Sequence, residues 1–206
     1  MRLLVFLLFS VSLLHCNGQN IKEREVGGPC EDCQAALDFN TLDFELKSTI
    51  TIEGYKVNDP KIRVSGTVYQ VDGKTPAPNV ILYIYHTNRE GIYQQSDTPK
   101  GWERRHGYHR GWIKTDENGN YEFFTFRPAA YPNGRESEHI HIYIKEEGKV
   151  PYYIDSFVFL DDPLLTQKKM AKFSNRGGSG IVSFQLKNGH LTAKRDIILG
   201  MNIPDY

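Results

Sequence analysis

The stretch Glu138-His139-Ile140-His141-Ile142-Tyr143-Ile144 decides how this chain is read. Side chains alternate along a strand, so His139, His141 and Tyr143 share one face and Ile140, Ile142 and Ile144 share the other. An isoleucine face belongs in a core. The two imidazoles then project side by side, about 7 Å apart by the rise of two residues. At that spacing two neutral rings can chelate one metal ion. The same pattern also suits a solvated polar sheet face, so the pair alone leaves both readings open.

On either side, strand signals recur. Ile62–Val71 alternates with period two and ends at Asp72-Gly73. Val80–Thr87 is apolar on both faces, as a central strand is. Trp112–Thr115, the turn Asp116–Asn120 and Tyr121–Phe126 predict a hairpin. Tyr152–Leu160 is a further strand, and Ile181–Leu186 with Leu191–Leu199 predicts a closing hairpin about Asn188-Gly189. Only Pro163–Phe173 reads as helical, with Asp162 as cap and Pro163 in the first turn. The expected fold is all-β: an antiparallel β-sandwich with long functional loops and one short helix. Two stretches are too long for simple turns, Asn88–Gly111 and Arg127–Glu138, and long ordered loops usually carry function.

The chain has 206 residues, enough for one domain with a sizeable core. Lys+Arg and Asp+Glu are both 25, which argues against a general nucleic-acid binder and against an acidic tail. Met1-Arg2 and the apolar run Leu3–Leu14 fit a secretory signal over residues 1–15; the run is too short for a spanning helix, which needs about 20 residues. Cys16, where the chain turns polar, looks like the acylated cysteine of a bacterial lipoprotein, although His15 stands where a small residue is usual; plain secretion and an uncleaved anchor are the alternatives. The mature protein is thus expected outside the cytoplasm, as a cell-envelope lipoprotein or a secreted protein, touching a membrane only through a lipid on Cys16. Residues 16–39 read as a tether and 40–206 as the sandwich domain. Cys30 and Cys33 have the spacing of a redox pair or half a zinc site; after export a local disulfide is the simpler reading.

Several short motifs fall in a telling order: Tyr85-His86-Thr87 leading to Gly91-Ile92-Tyr93, then Thr115-Asp116-Glu117-Asn118-Gly119, then Tyr131-Pro132, then His139-Ile140-His141, then Phe157-Val158-Phe159. Over Gly66–Pro163 this order resembles the intradiol ring-cleavage dioxygenases, in particular their compact exported branch. The resemblance implies one Fe(III) per chain held by Tyr93, Tyr131, His139 and His141. It implies cleavage of a small aromatic diol by O2 between the two hydroxylated carbons, giving a muconate-type diacid. Tyr131 would be the tyrosinate that leaves the metal and takes a substrate proton. Taken singly, Tyr93 also reads as a loop aromatic capping the core and Tyr131 as the plug of a Tyr-Pro turn. The chemistry suits the residue types, because a hard trivalent cation favours anionic oxygen and draws the proton off a phenol.

The chain departs from the family where relatives often carry Arg-Pro-Ala before His-x-His. Here those positions are Glu136-Ser137-Glu138, with Arg135 one residue upstream, and Ser156 stands where a polar amide is common. Arg135 and Arg110 are candidates for the missing cation, with Arg104 and Arg105 beside them and His106 or His109 as a proton carrier; all also read as solvated loop charges. Trp102, Tyr108 and Trp112 are candidates to stack on a substrate ring at the mouth of the site, or to serve in the core. Two other readings stand beside the enzyme: an exported transthyretin-like binding module that keeps a metal site without turnover, and a copper or zinc site built on the histidines alone.

Overall fold

The computed structural model describes residues 23–41, 45–187 and 189–206. The expected leader, residues 1–15, and Cys16 lie outside these. Among the described residues no helix is long and apolar enough to cross a membrane. The sandwich expected from the alternation is present as two layers. One sheet runs β1 (Thr49–Thr51), β5 (Asn120–Phe126), β2 (Lys61–Tyr69), β11 (His190–Lys194), β10 (Gln185–Lys187), with β12 (Ile197–Ile198) pairing the end of β2. The other runs β4 (Arg110–Lys114), β3 (Ile81–Tyr85), β6 (His139–Lys145), β8 (Phe157–Phe159), β9 (Ile181–Val182), with β7 (Tyr152–Tyr153) against β6. The centre of each sheet is antiparallel, through β2–β5, β3–β4 and β3–β6. Parallel pairs join them at β1–β5, β2–β11, β2–β12 and β8–β9.

Alternation is followed closely where the pattern is cleanest. Ile62, Val64 and Val68 of β2 point inward, as do Ile140, Ile142 and Ile144 of β6, and all six join one core cluster. Gly66 takes the remaining inward position of β2 because a Cβ there would fall on the Arg195 carbonyl oxygen, to which Tyr121 also donates its hydroxyl proton at 2.7 Å. β3 is buried on both faces, as its composition predicts.

Four expectations are corrected. Residues 112–126 are not a hairpin: β4 pairs with β3 in one sheet and β5 with β2 in the other. Ile113 and Phe123 belong to the same core from opposite layers, so the Asp116–Asn120 turn carries the chain across the sandwich. Asp116 Oδ1 secures that turn by accepting from the Asn118 and Asn120 amides at 2.9 and 2.7 Å. Tyr152–Leu160 breaks into β7 and β8, and the last two expected strands break likewise, so only β10–β11 forms the closing hairpin. The helix in 163–173 shrinks to α2 (Gln167–Met170), capped by Thr166 rather than Asp162. Asp162 serves the site instead, its carboxylate accepting from the Glu138 amide at 2.6 Å. A second helix, α1 (Glu103–His106), stands in the long loop.

The described part of the expected tether is packed. A 3-10 helix, Cys33–Thr41, buries Ala35 and Ala36 against Tyr83, Tyr85, Trp112 and Tyr143 on the outer face of the β4–β3–β6 sheet. Cys30 and Cys33 form a disulfide at its start, Cα atoms 5.7 Å apart. This cover is why β3 is apolar on its outer side.

Two buried imidazoles make the fold sensitive to acid. The His86 ring lies between the Thr87 carbonyl (2.8 Å) and the Thr125 hydroxyl (2.7 Å), and burial pushes its pKa down to about 3. Burial pushes His106 down to about 4. A folded pKa below the unfolded value means stability present above pH 6.5 and lost as the unfolded chain takes up protons that the folded chain refuses. These two rings alone should cost on the order of 2–3 kcal/mol per pH unit between pH 6.5 and about 4. Denaturant unfolding at stepped pH measures this, and His86→Gln should flatten the slope by roughly half.

Candidate metal centre

The site is built by four segments that alternation and turn chemistry bring to one end of the sandwich. β6 supplies His139 and His141 on its outer face. The register of β3 against β6 sets Tyr85 directly beside His141, and the two rings stack with centroids 4.5 Å apart and planes 12° apart. The loop after β3 supplies Tyr93. It is shaped by Asn88, whose side-chain oxygen accepts from the Glu90 and Ile92 amides at 3.0 Å. The loop after β5 supplies Tyr131, and it is fastened to the first loop by Thr87 Oγ1 donating to the Ala129 carbonyl (2.7 Å) and the Ala129 amide donating to the Asn88 carbonyl (3.1 Å). Gly91, at φ +77°, lets the loops touch, since a Cβ there would fall on the Ala130 carbonyl oxygen.

The result is a convergence of four donor atoms. Tyr93 Oη lies 2.8 Å from His141 Nε2 and in hydrogen-bond contact with Tyr131 Oη. Tyr131 Oη lies 3.2 Å and His139 Nε2 lies 2.9 Å from the same His141 nitrogen. His139 Nδ1 is 2.6 Å from the Ser137 carbonyl. A carbonyl only accepts, so the proton of His139 is on Nδ1 and its Nε2 lone pair faces the other three donors. An outer carbonyl that fixes the tautomer in this way is a habitual feature of metal-binding histidines.

Burial pushes His141 well below its ordinary range and pushes the Tyr93 and Tyr131 hydroxyls above theirs. His141 is therefore neutral and able to ligate. The phenols stay protonated until a cation compensates the burial. Two oxygen donors that become anionic on binding, together with two neutral nitrogens, fit a hard trivalent ion such as Fe(III). A site on the histidines alone does not explain why both phenol oxygens are turned onto the same point.

A cavity of about 420 Å³ opens beside the histidines, lined by Arg135, Glu136, Ser137, Tyr153–Ser156, Val158 and the stretch bearing Lys169, Lys172 and Phe173. Arg135 is thus in the cavity; the other proposed cations are not. Arg110 pairs with Asp38 at 3.3 Å and lies over Trp112. Arg105 pairs with Glu31 (2.8 Å) and Asp32 (3.0 Å), and Arg104 donates to the Pro99 carbonyl. His106 bonds the Tyr83 hydroxyl at 2.9 Å, and His109 bonds the Glu53 carbonyl at 2.8 Å. The expected aromatic mouth is also corrected. Trp112 is buried against Tyr83 and donates to the Ala35 carbonyl at 3.1 Å, Trp102 stacks on His106, and Tyr108 packs on His109. None of the three lines the cavity. Its walls come instead from β7–β8 and α2, which sequence reading left out; the exposed Tyr153 and the lysine-rich Gln167–Lys172 were the available signals.

Comparisons with known proteins give the family and the fold. A Dioxygenase family model matches residues 46–172, more than half of the chain. Catechol 1,2-dioxygenase of Acinetobacter baylyi is 34% identical over 112 residues, covering 53% of this chain and 35% of that protein. The protocatechuate 3,4-dioxygenase beta chain of Burkholderia cepacia is 29% identical over 139 residues, covering 63% and 57%. The chain therefore spans roughly a third to just over half the length of these relatives. In fold it is similar to an intradiol ring-cleavage dioxygenase from Tetranychus urticae, with TM-score 0.56, 17% identity, and coverage of 84% of this chain and 90% of that one. It is likewise similar to catechol 1,2-dioxygenase from Acinetobacter sp. ADP1, with TM-score 0.54, 22% identity, and coverage of 75% and 58%. On the matched family model and the motifs that carry the donor residues, the chain belongs to the intradiol ring-cleavage dioxygenase family.

Proposed function

We propose that this protein is a non-haem iron dioxygenase that opens the ring of catechol-type compounds between the two hydroxylated carbons, consuming O2 and yielding muconate-type diacids. The observation that carries this reading is the meeting of Tyr93 Oη, Tyr131 Oη, His139 Nε2 and His141 Nε2 around one point. These four side chains would hold Fe(III), and the ion when bound supplies Lewis-acid activation of the diol. The Ser137 carbonyl keeps His139 in its ligating tautomer, and the Tyr85 ring fixes the plane of His141. With a cation bound, Tyr131 would stand as a phenolate whose Oη can receive the proton of one substrate hydroxyl, and it is less buried than Tyr93, which suits it to the task. The cavity walls of Ile154 and Val158 shield the ring from water on one side. With residues 1–15 read as a leader and Cys16 as its lipid-bearing junction, the reaction belongs outside the cytoplasm.

Ferric loading tests the centre. The protein should take up about one ferric ion per chain and turn red-brown through tyrosinate-to-iron charge transfer. Tyr93→Phe and Tyr131→Phe should each weaken the colour, whereas a histidine-only copper or zinc site would be indifferent to both. Oxygen consumption with ring-opened product from catechol separates the enzyme from a binding module that keeps the metal without turnover.

The contact between the two tyrosine loops gives a second expectation. Gly91→Ala should cost about 1–3 kcal/mol in stability and lower ferric affinity by roughly tenfold or more, as losses of supporting contacts do. Chelator competition on the folded variant reads the second effect apart from the first.

A further inference from the structure

We propose that the wall bearing Lys169 and Lys172 makes this site selective for catechols that carry a carboxylate on an extended side chain, with the carboxylate resting on the two ammonium groups. The inference rests on the diol-cleaving reading above and adds the nature of the ring substituent.

Three observations lead to it. The first is size. A cavity of about 420 Å³ falls in the range of roughly 300–1,000 Å³ that takes molecules larger than a single ring. The second is charge. Lys61, Lys145, Lys149 and Lys194 each pair with a carboxylate at 2.7–3.0 Å. Lys169 and Lys172 line the cavity, and their ammonium groups have no ion pair or hydrogen bond among the described residues. No acidic residue stands in Gln167–Phe173. Two acids also line the cavity, and Glu136 stands at its donor end, where its charge acts on the Tyr93 and Tyr131 hydroxyls. The Asp155 carboxylate accepts the Asn175 amide at 2.8 Å, and Glu136 belongs to the segment just before His139. The third is shape. Tyr153 and Phe173 each offer a ring, Ile154 and Val158 an apolar strip, and the Arg176 guanidinium lies 3.6 Å over the Tyr153 ring. A flat conjugated tail suits such walls, and an ammonium pair at their margin suits its terminal anion.

The test uses the iron-loaded protein and two matched ligands, 3,4-dihydroxycinnamate and its uncharged primary amide. Each is titrated anaerobically by calorimetry and assayed for cleavage in air. The wild type should favour the acid over the amide by about tenfold at low ionic strength, as two partly exposed ion pairs allow, and added salt should erode the preference. In Lys169→Gln/Lys172→Gln the ratio should fall to about one, with the thermal midpoint held because the ammonium groups make no ion pair or hydrogen bond among the described residues. Equal affinity for acid and amide in the wild type, or a preference that survives the double substitution, overturns the proposal. If catechol itself goes uncleaved the diol-cleaving reading fails, and the calorimetric ratio still decides the role of the lysines.

Discussion

Everything at this end of the sandwich turns on an electrostatic misfit that a cation removes. His141 Nε2 has one lone pair or one proton to offer, yet Tyr93 Oη, Tyr131 Oη and His139 Nε2 all lie within 3.2 Å of it. His139 cannot supply a proton there, because its own is committed to the Ser137 carbonyl. The cluster is therefore poorly satisfied as a hydrogen-bond network, and burial raises the cost of that. A hard metal ion held by these residues would relieve the crowding and make the phenols acidic enough to neutralise its charge. Strand alternation, the Gly91–Ala130 contact and the Tyr85 stack are all means of holding this arrangement, which the free chain would relax.

The support behind His141 runs deeper than one ring. Tyr85 stacks on His141 on one side and on His106 on the other, the latter at 3.8 Å with planes 11° apart. His106 is tied to Tyr83, Tyr85 to Tyr143, and the layer is closed from outside by Ala35 and Ala36 of the 3-10 helix. Close-packed layers of this kind resist small displacements, so the N-terminal segment, though distant from the donors in sequence, helps set the plane of a ligand ring.

What was legible in the sequence follows from the range of the forces involved. His139 and His141 could be placed because alternation is local and strict, and the Ile140–Ile142–Ile144 face left one register open. The tyrosines could be found only through the order of motifs, since nothing local distinguishes Tyr93 or Tyr131 from the ten other tyrosines. The Asp116–Asn120 turn was correct as a turn and mistaken as a hairpin, because a turn sequence encodes a reversal and not which sheet receives the next strand. Trp112, open in the sequence between the mouth of the site and the core, proves to be core. An aromatic near a loop reads as a binding platform until the segment that buries it is known, and that segment, Cys33–Thr41, lies some seventy residues away and looks like a linker by composition.

The same 3-10 segment explains where the positive charge of the long loop goes. Arg105 is spent on Glu31 and Asp32, and Arg110 on Asp38, so the loop cations fasten the N-terminal cover to the sheet rather than reach the cavity. An ion pair that holds two segments together offers little field to a third party, because each charge is already screened by its partner. The charge left to act on a ligand is the charge without an ion-pair partner, and among the described residues lining the cavity that means Arg135 and the two lysines near α2 together with Glu136 and Asp155. The chemistry of the site and its selectivity thus come from different parts of the chain. The donors sit on β6 and the two tyrosine loops, while the walls come from the Arg135–Ser137 segment, from β7 and β8, which pair with β6, and from the α2 stretch.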